Sequence, residues 1–188
     1  MFFGKYEWRV LDRQNDKTLI ITKKIIEQSP YHNSYRAITW ADCSLREYLN
    51  GEFYDKFSPA DRSRIIPVIN KNTDNQWYGT NGGEDTQDSI FLLSIEEVAC
   101  KYFGDSSANL YYQKENKRYW FERKDENNSK RRAGGWWWLR SPGRNGVKAV
   151  YIHGDGNIGI QGNNILKGNI GDGRCIGGVR PALWLRLE

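Results

Sequence analysis

Apolar and polar positions alternate at the start of the chain, where Tyr6, Trp8 and Val10 interleave with Glu7 and Arg9. After the polar turn RQNDK comes the apolar run TLIIT. A period of two on both sides of a turn predicts a β-hairpin. The period then lengthens. In TWADCSLREYLNGEFYDKF, Leu45, Tyr48, Leu49 and Phe53 recur at helical spacing, and Ser44 with Glu47 forms the S-x-x-E pattern that closes a helix start by reciprocal side-chain to backbone bonds. Ser58-Pro59-Ala60-Asp61 predicts a further short helix, with Ser58 as cap, Pro59 at the first helical position and Asp61 at the positive end of the helix dipole.

The stretch NKNTDNQWYGTNGGEDTQDS is dense in Asn, Asp and Gly, each a turn former, and runs into the apolar segment Ile90 to Leu93. A long ordered loop before a short strand is expected. Ser94 and Glu97 repeat the capping pattern, which opens a helix reaching Tyr102 or Phe103 with Gly104 to end it. Beyond that point the character changes, for 13 of the 19 glycines fall between Gly134 and Gly178 among short apolar alternations. Asp155-Gly156 between Tyr151-Ile152-His153 and Ile158-Gly159-Ile160 predicts a tight hairpin turn. In GGVRPALWLRLE, Val179, Leu183, Leu185 and Leu187 share one face opposite Arg180, Trp184 and Arg186, and Pro181 belongs at the beginning or edge of this last strand.

Composition narrows the class. At 188 residues the chain suits one domain, residues 1–188, with no apolar run long enough for a bilayer and no signal-like start, so a soluble, cytoplasmic protein with no membrane partner is expected. Cys43, Cys100 and Cys175 are odd in number and far apart, as buried thiols of a reducing compartment would be. The net charge is +5, and the stretch Gln113 to Arg132 carries eight Lys/Arg against four acids. Residues 113–135 therefore read as a charged surface loop. Nucleic-acid binding through residues 114–132, with Tyr119, Trp120 and Phe121 as stacking platforms, is the less favoured alternative.

GGWWWLRSPG, followed some thirty residues later by GGVRPALWL, resembles blocks of a bacterial and phage family of uncharacterised domains. YEWRVLD, ITWADCSLREYLNGEFYDKF and DTQDSIFLLSIEEV resemble its other blocks in order. That family is in turn distantly similar to the C-type-lectin-like domains of the formylglycine-generating enzymes. The resemblance implies an α+β, C-type-lectin-like fold in which N- and C-terminal strands pair and two helices flank a small antiparallel sheet with long Gly/Trp-rich loops. The enzymes hold copper with a cysteine pair between the Trp/Gly block and the terminal glycine. Here Cys175 is the one cysteine between Trp136 and Gly178, so that activity is not carried over.

A non-catalytic module that binds a protein or glycan is the expected function, with no cofactor. Trp and Arg dominate interaction hot spots because they combine large contact area with directed donors. The expected surface comprises Trp136, Trp138 and Arg140 on the outward face of their strand, with Asn145, Tyr151, His153, Asn157, Gln161, Asn163 and Asn164. For Trp138 and Arg140 a purely structural role weighs equally, and for Arg180 and Trp184 it is favoured. A metal-dependent oxidase with different copper or iron ligands is the enzymatic alternative. Calcium has a lesser claim on the loop from Asn72 to Asp88, where Asp74, Asp85, Asp88, Asn75 and Asn81 offer hard oxygens without EF-hand spacing. A Ser141–His153–Asp155 or Asp172 triad is neither supported nor excluded by sequence order.

Overall fold

In a computed structural model, which describes residues 1–103, 128–166 and 176–187, the chain is a mixed α+β protein with few, short helices. The first sheet joins the two ends of the chain in the order β1-β2-β3-β12-β5, with β1 Phe2–Phe3, β2 Tyr6–Gln14, β3 Lys17–Thr22, β5 Ile65–Ile66 and β12 Ala182–Arg186. The second runs β10-β9-β8-β11-β4, with β4 Glu27–Gln28, β8 Trp137–Pro142, β9 Lys148–Ile152, β10 Ile158–Asn164 and β11 Gly178–Val179. Both are antiparallel except where β11 runs parallel to β8. A two-stranded ribbon pairs β6 Val68–Asn70 with β7 Thr86–Asp88 inside the Asn/Asp/Gly loop.

Both predicted hairpins form, β2 with β3 and β9 with β10, the second turning at Asp155-Gly156 where Gly156 takes φ +95°. Pro181 precedes β12, the position that costs no ladder bond. The helical stretch after Thr39 is broken into a 3-10 turn at Trp40–Asp42, α1 Ser44–Asn50 and α2 Glu52–Asp55, because Gly51 leaves helical geometry at φ −113°, ψ −101°. Leu45, Leu49 and Phe53 still turn one stripe into the core. α3 Pro59–Arg64 starts as expected, with the Asp61 N–H donating to Ser58 Oγ at 3.1 Å.

The two capping patterns part company. Ser94 and Glu97 make the full reciprocal pair, Glu97 N–H to Ser94 Oγ at 3.3 Å and Ser94 N–H to Glu97 Oε2 at 2.8 Å, and lead into a π-helical turn at Glu97–Lys101. Ser44 makes no such pair. His32 Nδ1 accepts its N–H at 3.2 Å instead, and the cap position falls on Cys43.

One apolar core links both sheets and the helices through Trp8, Trp40, Phe53, Phe91, Trp137 and Trp138. Two expectations of facing are corrected by it. In β8 all six residues are buried, and in β12 Leu183, Trp184 and Leu185 are buried together while Leu187 is exposed. Strands covered on both sides have no solvent face for alternation to mark. Of the charged stretch, 113–127 lies outside the described residues, as does Gly104. Within the expected loop, Asn128–Arg131 form a short helix instead; Lys130 and the following Arg132 are exposed, but Arg131 is buried, its Nε donating to Gly156 O at 2.8 Å. Among the described residues no helix is long and apolar enough to cross a membrane.

Candidate functional site

The Trp/Gly block builds a frame before it builds a surface. Trp137 Nε1 donates to Arg131 O at 3.1 Å and Trp138 Nε1 to Ser29 O at 2.9 Å, so each buried indole is anchored at its polar corner. Gly177 lies against Trp138 so closely that an added Cβ would come within 2.0 Å of Nε1. The half-buried Trp136 packs edge-on against Trp138 and Tyr151, with centroids 4.8 and 5.5 Å apart.

Arg140, expected to face outward, is buried on the inside of this frame. Its Nε donates to Asn72 Oδ1 at 3.2 Å, its Nη1 to Leu92 O at 2.8 Å, and its Nη1 and Nη2 form a two-pronged ion pair with Glu97. Burial opposes ionisation of Glu97, but the Arg140 guanidinium and the Ser94 N–H hold its carboxyl below the usual range. Trp138 and Tyr151 are likewise buried, and Asn164 nearly so with its Oδ1 taking the Leu166 N–H. These four residues are corrected from surface contacts to parts of the frame.

The remaining predicted residues separate to opposite ends of the β8–β9–β10 strands. At one end, His153 lies 3.0 Å from Asp155, whose carboxylate also takes the Asn157 N–H and amide. These side chains shape their own turn. At the other end lie Asn145, Gln161 and Asn163, where the Arg144 N–H donates to Gln161 O at 2.8 Å and Asn163 pairs with Ala149. The pairings Trp137 with Ile152 and Pro142 with Ala149 put His153 and Ser141 at opposite ends of β8 and β9. Ser141 Oγ accepts the Ile95 N–H, so no triad assembles from them.

The calcium candidates bond to the protein itself. Asp88 is buried and accepts from Trp40 Nε1, Arg46 Nε, Asn70 Nδ2 and Thr86 Oγ1 at 2.6–3.1 Å. Asp85 pairs with Lys71, Asp74 takes the Gly82 N–H, and Asn81 takes the Gly83 N–H. Asn72 serves Arg140, and Asn75 receives Trp77 and Tyr78 N–H while its amide donates to Pro142 O and Ile160 O. A turn network that ties the loop to the C-terminal sheet accounts for all six. Among the described residues no three His, Cys, Asp or Glu side chains cluster as metal ligands, and burial pushes the Cys43 thiol up to about 12. Cys175 and Asp172 lie outside the described residues.

Sequence reading missed a second feature. A cleft of about 590 Å³ opens between the β2–β3 hairpin and residues 129–134, with Arg180 in its wall. Arg9, Lys23 and Lys24 come from one side and Lys130 and Arg132 from the other, and among the described lining residues the one acid is Glu7. Separations of more than a hundred residues left no local signal for it.

Two largely antiparallel five-stranded sheets with short helices, a tryptophan frame and two separate polar surfaces define an α+β domain. The chain belongs to the family described as Domain of unknown function (DUF6273), whose family model matches residues 15–187. No curated protein and no solved structure matches it.

Proposed function

We propose that this domain is a non-catalytic ligand-binding module of C-type-lectin-like build, recognising a protein or glycan through the polar end of its C-terminal sheet at Asn145, Gln161 and Asn163, beside Arg144. The fold reading is supported by the pairing of β3 with β12, which joins the N- and C-terminal strands from Ala182–Ile21 to Arg186–Lys17. The long loop tied down by Asn75 is the kind of ordered irregular segment such a fold uses.

The binding reading rests on one observation, the pinning of the Gly143–Val147 turn. Gly143 N–H donates to Lys148 O, Lys148 N–H to Asn145 O, Val147 N–H to Asn145 Oδ1, Ile38 N–H to Gly146 O and Ile165 N–H to Val147 O, at 2.7–3.2 Å. Exposed Arg144 and Asn145 are thus presented on backbone that has little freedom left to lose on binding, which reduces the entropic cost of association.

A triple variant, Asn145→Ala with Gln161→Ala and Asn163→Ala, should stay folded, with a melting temperature lowered only by the loss of the Asn145 Oδ1 bond to the Val147 N–H, and lose the ligands that the wild type captures on a glycan array or in pull-downs. Retention of every wild-type ligand would remove this surface from consideration.

A further inference from the structure

We infer that the cleft beside the β2–β3 hairpin is a binding site for a small phosphate-bearing ligand, with Arg180 as its buried anchor. Arg180 is 1% exposed, yet among the described residues it has no carboxylate partner. Its Nε donates to Thr22 O at 2.8 Å, its Nη1 to Arg131 O at 3.3 Å and its Nη2 to Lys23 O at 3.4 Å. A guanidinium has five N–H groups, so these three carbonyls leave donors to spare and, among the described residues, leave the charge itself uncompensated.

A second guanidinium stands next to the first. Arg9 and Arg180 lie 5.4 and 5.7 Å from the same Phe103 ring, and Arg9 is held there by a 3.0 Å bond from Nη1 to Lys130 O. Burial, reinforced by Arg9, pulls Arg180 down to about 9, which still leaves it a cation at neutral pH. Two like charges lining one cleft repel, and an anion bound there would offset that repulsion.

The rim adds Lys24, Lys130 and Arg132, all exposed. Glu7 is already taken by Lys23 at 2.7 Å, so it does not neutralise the others. A phosphate group suits this set better than a single carboxylate, because its several oxygens and second charge match a forked Arg pair together with Lys point charges. The cleft is of the size that holds a small ligand rather than a strand.

Calorimetric titration of the full chain with pyrophosphate tests this. Binding with a Kd below about 1 mM is expected, weakened at least about tenfold by Arg9→Ala and by Lys24→Ala, and unchanged by Lys71→Ala, whose side chain pairs with Asp85 instead. Arg9 and Lys24 are exposed, so these variants remain informative even if Arg180→Met fails to fold. No binding, or equal binding by both cleft variants, would overturn the site. Citrate binding as tightly as pyrophosphate would overturn the phosphate assignment. A single-stranded oligonucleotide binding more tightly, with affinity growing with its length, would reassign the cleft to nucleic acid.

Discussion

Arg140 and Arg180 are both buried cations in the C-terminal third, each within 6 Å of an aromatic ring, yet their surroundings differ. Arg140 meets a carboxylate with both prongs and fills its other donors with Asn72 and backbone carbonyls. Among the described residues Arg180 meets carbonyls and aromatic rings but no carboxylate, and it lines an open, basic cleft. Desolvating a cation is costly in either place, but only the first region returns that cost within the fold. The same residue type in the same sheet system is therefore a structural tie in one region and an anion-seeking group in the other.

The largest effect should come from breaking the compensated pair. Arg140→Met strands Glu97 and is expected to lose about 3–4 kcal/mol in denaturant unfolding at pH 7. Since the folded carboxyl of Glu97 lies below its ordinary value of 4.5, the pair's contribution is present above that pH and fades as pH falls through the folded value. The deficit of Arg140→Met should accordingly narrow in acid, and a pH-independent deficit would deny the pair its role. Next in size, Gly177→Ala drives a methyl into Trp138 and should cost about 2 kcal/mol by overpacking, read as a lower denaturation midpoint. Arg180→Met relieves desolvation while releasing three carbonyls, so a smaller loss of about 1–2 kcal/mol is expected, with no change across the acid range. Ser94→Ala should cost about 1 kcal/mol, because it removes one cap bond beside Glu97, and Ser44→Ala least of all, since Ser44 caps nothing.

Much of this was legible in the sequence where interactions are local. The β2–β3 hairpin, the Asp155-Gly156 turn, Ser58-Pro59 and the Ser94–Glu97 box depend on neighbours within a few residues, and they form as the pattern says. The failures are non-local. Trp138, Arg140 and Trp184 alternate as outward residues do, but their strands are covered on both faces. Ser44 carries the same pattern as Ser94 and loses its cap to His32, twelve residues away. The site residues split for a similar reason, since a hairpin puts its two ends far apart while the sequence keeps them close. The cleft was invisible because Arg9, Lys24, Lys130 and Arg180 meet only after both chain ends join one sheet.

The difference between the two arginines can be observed directly by following guanidinium Nε–Hε resonances by NMR during a pyrophosphate titration. Arg180 and Arg9 are expected to shift with saturation while Arg140, locked to Glu97, stays in place. Unmoved Arg180 and Arg9 signals, or an equal shift of Arg140, would contradict the account.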